Sequence, residues 1–320
     1  MEVIQVFDRP ASQAFYSVAG RLLFTECFNH ELRTLIVDLF AGWQLTPVPL
    51  PDRSPDIQIS FSCGEAPQRI PRDLDQFEIA EGGKCYTDAS GLYLELGGPV
   101  VQLENGSSVS VKVVFPELPR GGNPLLARAA SFAVCAALRR YGLFDLHSAG
   151  VVEPESGKAV LIVGPSGSGK STLALALAKA GWFYLSDDEL LLSLTDGVVE
   201  SRGFRSFFAV STPGTFKHCF EPEIALGSKR VEQAYPGSLL FISLNGESRS
   251  QLSKLTQAET MMRLITACPW ATYDKSVASA NLELLSALAR QASGFDLSAG
   301  RDLLAPGFAA SFLSAALNPS

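Results

Sequence analysis

The chain has 320 residues, 47% of them apolar and 18% charged, which is ordinary for a folded protein and enough chain for two domains. Its formal net charge of −7 argues against a general attraction to nucleic acid or to an anionic membrane surface. The six cysteines, Cys27, Cys63, Cys85, Cys135, Cys219 and Cys268, form no C-x-x-C pair and have no histidine at zinc-ligand spacing, so they read as reduced packing residues.

The opening "MEVIQVFDRPASQAF" carries Glu2 and Asp8 and has no basic stretch leading into an apolar run, so it does not read as a signal peptide. "AFYSVAGRLLFTEC" predicts a hairpin, "HELRTLIVDLFAGW" spaces its apolar residues as a helix does, and "PDIQISFSC" alternates with the period of a strand. Two more hairpins follow, one turning through Ser90-Gly91 and one at Asn105-Gly106, a pair that tolerates the positive φ of a tight turn. Residues 1–118 therefore predict a small α+β domain, suited to substrate or partner recognition and without a catalytic constellation.

"PELPRGGNP", Pro116 to Pro124, has the composition of a linker, and a second domain is expected over 124–320. Its first segment, Leu125 to Tyr141, predicts a helix, too interrupted by Arg128, Arg139 and Arg140 to span a membrane. The expectation is a cytoplasmic protein with no membrane or nucleic-acid partner. "LFDLHSAGVVE" follows as a strand or loop carrying His147, then "GKAVLIVG" as a buried strand, Lys170 to Lys179 as a helix, and Gly181 as its stop. "WFYL" predicts a strand, "SDD" a loop, and "LLLSLTDGVVES" a hairpin turning at Asp196-Gly197. Beyond a buried strand "SLLFISLNG", Thr256 and Glu259 have capping-box spacing at the head of a helix, and another helix covers roughly 278–292.

The chemistry concentrates in "GPSGSGKS". Gly164, Pro165, Ser166, Gly167, Ser168, Gly169, Lys170 and Ser171 fit G-x-x-x-x-G-K-[ST], with Thr172 next in the helix. In such a loop backbone N–H groups converge on phosphate oxygens, the lysine reaches the β and γ phosphates, and the serine ligates Mg²⁺, which points to ATP. Asp187 and Asp188 follow one helix and one short strand later. That interval predicts a strand beside the phosphate-loop strand, with both carboxylates at its C-terminal end, where ligands of open α/β sheets gather. One acid can serve Mg²⁺ and the other can accept a proton from an attacking hydroxyl. His147 precedes the phosphate-loop strand and can face the same mouth; Arg202 and Arg205 are candidates for holding phosphoryl charge or for a solvated hairpin face. His30 and His218 carry no assignable context.

With these residues in place, the second domain resembles the C-terminal domain of HPr kinase/phosphorylase and the HPr-kinase-related proteins of many bacteria. The likeness lies in "LHSAGVV", "LIVGPSGSGKSTLALALAKAGW" and "LSDDELLL", and covers about residues 125–300. It implies an α/β fold, a P-loop kinase domain similar to phosphoenolpyruvate carboxykinase. It also implies transfer of the γ-phosphoryl group of Mg·ATP to a serine hydroxyl on a protein or peptide. By the resemblance, His147, Lys170, Ser171 and Asp188 take active positions: Asp188 accepts the serine proton, Lys170 holds phosphate, Ser171 holds Mg²⁺, and Asp187 supports the metal or its water. Ser171-Thr172 stands where that family has Ser-Glu. "ESRG", Glu200 to Gly203, comes only 13 positions after Asp187, so no metal role is carried to Glu200. A homo-oligomer is compatible with the sequence. A transporter-type ATPase would need an LSGGQ-like signature and a late strand ending in Asp-Glu, whereas "SLLFISLNGE" ends in Asn245; a small-molecule kinase would need an arginine-rich lid. A nucleotide-binding module without catalysis is the remaining alternative.

Overall fold

The structure, a computed structural model, describes residues 12–65, 75–79, 83–88, 91–106, 108–210, 218–220, 227 and 229–317. Residues 1–11, where the leader reading falls, and Ser90 of the Ser-Gly turn lie outside the described residues. Contacts divide the chain into two units: residues 1–41, 45–141 and 273–276 in one, and residues 42–44, 142–272 and 277–320 in the other. Both mix helices and strands, and the whole is an α/β protein.

The first unit contains β1 (Ser12–Val18), β2 (Arg21–Cys27), β3 (Thr46–Val48), β4 (Ile57–Cys63), β5 (Asp75–Ile79), β6 (Gly83–Thr87), β7 (Gly91–Glu95), β8 (Val100–Glu104) and β9 (Val109–Phe115). They form one sheet in the order β3-β1-β2-β4-β9-β8-β7-β6-β5, with β2, β4 and β9 mutually parallel and the other pairs antiparallel. Alternation drives it: Ile57, Ile59 and Phe61 are buried while Gln58 is exposed. The helix His30–Ala41 buries Leu32, Ile36 and Phe40, the spacing of one helical face. The turn expected at Asn105-Gly106 is different in kind. Glu104 pairs with Ser110, and neither Asn105 nor Gly106 has a positive φ.

The unit boundary also differs from the expected linker. The helix Pro124–Arg139, capped by the Asn123 side chain on the Leu125 N–H, packs on β4, β8 and β9 and so belongs to the first unit. Its buried face, Leu126, Ala129, Ala130, Ala133 and Val134 among others, is what holds it there. The break falls between Tyr141 and Gly142.

The second unit contains β10 (Phe144–Leu146), β11 (Ser148–Val152), β12 (Ala159–Val163), β13 (Phe183–Ser186), β14 (Leu190–Thr195), β15 (Val198–Gly203), β16 (Phe208–Val210), β17 (His218–Phe220), β18 (Gln233–Ala234), β19 (Pro236–Leu244), β20 (Gln251–Lys254) and β21 (Ser293–Ala299). Its main sheet runs β13-β11-β12-β19-β21-β20, with β12, β19 and β21 parallel; β10-β14-β15-β18 form a second, antiparallel sheet. The strand β13 does not lie beside the phosphate-loop strand β12, because the antiparallel strand β11 intervenes and pairs with both. No local pattern announces that insertion.

β12 is apolar throughout because it is covered on both faces. Ala159, Leu161 and Val163 enter one core with Leu239, Phe241 and the helix Ala278–Gln291, while Val160 and Ile162 enter another with the helix Lys170–Lys179. Gly181, at φ +97, ends the latter helix, with its N–H bonded to Ala178 O and the Trp182 N–H to Leu177 O. The Asp196-Gly197 turn has φ of 51° and 79°, as the hairpin reading requires. Among the described residues, no helix is long and apolar enough to cross a membrane. Cys27, Cys63, Cys85, Cys135 and Cys268 stand in no disulfide, and burial pushes the Cys27 thiol up to about 11 and the Cys85 thiol up to about 12.

Candidate functional site

The parallel strands β12, β19 and β21 end on the same side of the sheet, so the segments that follow them converge. After β12 comes the loop 164–169, then the helix Lys170–Lys179. The loop is built to let a ligand approach its backbone. Gly167 and Gly169 have φ of +82 and +96, and a Cβ on Gly164 would lie 2.6 Å from Ser168 Oγ and 2.8 Å from Ile242 O. Gly169 heads the helix without a side-chain cap, which leaves the helix's leading N–H groups for a ligand. Ser168 is buried, and its Oγ has no hydrogen-bond partner among the described residues.

Lys170 is 5% exposed. Its Nζ donates to Gly164 O (2.8 Å) and Pro165 O (3.1 Å) and lies 3.0 Å from His147 Nε2. His147 sits between β10 and β11, where the chain passes from one sheet to the other, and its Nδ1 is 3.5 Å from Asp188 Oδ1. An ammonium can only donate, so Nε2 accepts from Lys170 and the imidazole proton belongs on Nδ1, facing the carboxylate. Three of the residues expected to act together are thus linked in the order Asp188, His147, Lys170.

Asp188 owes its position to an unusual turn. Its φ is +67, and the Glu189 N–H bonds back to Asp187 O at 2.8 Å, a γ-turn of the rarer hand centred on Asp188. Ser186 braces that turn: its hydroxyl donates to Glu189 O (2.6 Å) and accepts from the Phe204 N–H (3.1 Å) and the Arg205 N–H (2.9 Å). Asp188 lines the cleft with Lys170 and Ser171; Asp187 is 1% exposed and is not among the lining residues. Tyr184 lies close to Asp187, and burial first, then that carboxylate, raises its phenol pKa.

The two arginines singled out by sequence are occupied elsewhere. Arg205 bonds Glu189 at 2.9 Å and stacks 4.7 Å over Trp43, while Arg202 bonds Glu200 at 3.2 Å and also Gln233. The arginine that lines the cleft is Arg301.

The cleft has a volume of 570 Å³. Besides the phosphate loop and its helix, the cleft is lined by Leu244 at the end of β19 and by Glu247, Arg301, Leu303 and Leu304 from the segments after β19 and β21. Motif reading passed over them because they match no pattern. The available signal was positional: they immediately follow strands parallel to β12.

No protein-family model matches the chain, and no curated protein matches it. Among solved structures, the Hpr(Ser) kinase/phosphatase from Coxiella burnetii is similar over 35% of this chain and 77% of that chain, at 19% identity and a TM-score of 0.28.

Proposed function

We propose that this protein binds Mg·ATP in the 570 Å³ cleft and transfers the γ-phosphoryl group to a serine-type hydroxyl of a protein or peptide. The finer fold that accompanies this reading is a P-loop kinase domain similar to HPr kinase and phosphoenolpyruvate carboxykinase, with the N-terminal unit recognising substrate or partner. The observation that carries it is Asp188 and Lys170 lining one cleft with a glycine loop and linked to each other through His147, since a nucleotide-binding loop alone serves hydrolases equally. The residues suit the ligand: Gly167 and Gly169 line the cleft without Cβ atoms, beside Lys170 and Ser171.

Lys170 exchanges its carbonyl partners for phosphate oxygens, and the freed N–H groups at the helix start bind the same oxygens. Ser171, which lines the cleft, would hold Mg²⁺, which would supply neutralisation of phosphate charge, whereas Asp187, expected to support the metal, is 1% exposed and outside the lining and so is not placed to ligate it. Asp188 takes the proton of the attacking hydroxyl. The hydroxyl oxygen forms the new bond to the γ-phosphorus, the bond from that phosphorus to the β–γ bridging oxygen breaks, and ADP leaves with the electron pair. His147, holding both Lys170 and Asp188, keeps acceptor and phosphate ligand in register.

Asp188→Asn tests this directly with labelled ATP and the products of neighbouring genes as acceptors. Transfer is expected to fall by about 10² to 10⁴-fold while ADP binding persists. Transfer at the wild-type rate would remove Asp188 from the role of base.

A further inference from the structure

The γ-turn that presents Asp188 is a strained conformation, and such turns persist only where their surroundings over-determine them. Both flanks of this one are held by a single short segment. The Phe204 and Arg205 N–H groups bond Ser186 Oγ, and the Arg205 guanidinium bonds the Glu189 carboxylate. That segment lies past the end of β15 at Gly203, so what fixes it must come from elsewhere.

Residues 42–44 fix it. They belong to the second unit, although the chain on either side of them belongs to the first. Trp43 pairs antiparallel with Arg205, the Gln44 N–H bonds Phe204 O (2.8 Å), and the Ser206 N–H bonds Gly42 O (3.0 Å). The buried Trp43 ring lies 5.0 Å from the Phe204 ring, with the Arg205 guanidinium over it. Gln44 then reaches further with its side chain. Its Nε2 donates to Arg205 O and to Leu185 O, both at 3.2 Å. Both partners are carbonyls, so the amide nitrogen must be the end that faces them, and each of its two hydrogens has an acceptor. One side chain thus ties β13, just ahead of the Asp188 turn, to the segment that holds Ser186 and Glu189. Gly203 leaves the room for this, because a Cβ there would fall on Gln44 Nε2 and Leu185 O.

Resting on the reading of Asp188 as proton acceptor, we infer that Gln44 is a positioning residue for it: by joining Leu185 to Arg205, it holds the strained turn closed and keeps the carboxylate beside His147. Gln44 does not line the cleft and acts through the turn alone. Without its two donors the brace loosens, the backbone at residue 188 relaxes toward ordinary φ, and the carboxylate leaves the imidazole.

Gln44→Met tests this, since methionine keeps the length of the side chain and removes only the two donors. The chain has three histidines, so the ring-proton resonances of His147 can be assigned by their loss in His147→Gln. In the nucleotide-free protein, Asp188→Asn removes the charge 3.5 Å from His147 Nδ1 and supplies the reference displacement of those resonances. Gln44→Met is expected to displace them in the same direction and to leave those of His30 in place. With labelled Mg·ATP and the products of neighbouring genes, it is expected to lower transfer by about 10²-fold with the KM for ATP unchanged, while ADP still binds. Gln44→Ala, a smaller change at a partly exposed position, carries the same expectations should methionine prevent folding. His147 resonances that stay at their wild-type positions, or transfer at the wild-type rate, would overturn the inference. So would loss of ADP binding, which marks a general loosening of the unit. A wild type that binds ADP but transfers to no acceptor would instead overturn the phosphoryl-transfer reading, and the imidazole resonances would still decide whether Gln44 holds Asp188 in place.

Discussion

Gly164 carries a constraint that its neighbours do not. Gly167 and Gly169 are required by their positive φ, but Gly164 is required by space, since its missing Cβ would meet Ser168 Oγ on one side and Ile242 O on the other. Ile242 is on a parallel strand of the same sheet and cannot yield without disturbing β12. Gly164→Ala is therefore expected to cost about 1–3 kcal/mol of stability and to abolish pyrophosphate binding, because relief comes only by moving the loop. Urea unfolding alongside calorimetry checks both halves. A variant that binds pyrophosphate normally would show that the loop has slack that its close contacts deny. The same logic separates Asp187 from Asp188: adjacent in sequence, one is buried and the other is turned into the cleft by a left-handed backbone that an aspartate tolerates better than most residues.

At the scale of elements, the helix Gln257–Ala267 shows how far a short pattern reaches. Thr256 accepts from the Glu259 N–H at 3.2 Å, and the Glu259 carboxylate accepts from the Thr256 N–H at 2.8 Å, completing the box expected from the spacing. Thr256→Ala is expected to cost about 1 kcal/mol. The Thr256 backbone N–H, then its hydroxyl, holds the Glu259 carboxyl below its ordinary range. A depressed folded pKa means a contribution present above the unfolded value and lost as the pH falls through the folded one. The wild type should lose this increment below about pH 4, while Glu259→Gln should lack that part of the acid dependence. Denaturation of both proteins at neutral and acid pH compares them.

Such boxes, the Asp196-Gly197 turn and the phosphate-loop strand and helix were legible because their causes are local. The insertion of β11 between β12 and β13 was not, nor was the wall of the cleft that follows β19 and β21, since strand order is decided by which apolar faces meet and not by a local pattern. Arg202 and Arg205 were read as candidates for phosphate; their acidic partners, Glu200 and Glu189, are nearby in sequence, but only the fold shows that they are engaged.

At the scale of the whole molecule, chain order and unit membership do not coincide. The first unit includes residues 273–276, and with them Asp274, which is fully buried between Arg139 and Arg140 of the same unit. Burial lowers the Arg140 pKa and Asp274 opposes that effect, so the carboxylate is what makes two buried guanidiniums tolerable. Removing one partner of a buried ion group leaves charge without compensation. Asp274→Ala is expected to destabilise the protein by about 3–5 kcal/mol, an effect centred on the first unit despite the residue's late place in the sequence. The neighbouring Lys275 pairs with Asp75, but both side chains are about half exposed, at 54% and 51%. Water screens that pair, and Lys275→Ala should change stability by no more than about 1 kcal/mol. Urea unfolding of the two variants side by side decides the matter. Equal losses would mean that burial of Asp274 does not set its contribution; a large loss confined to Asp274→Ala would mean that an expression product ending near Tyr141 lacks an anion its own core requires.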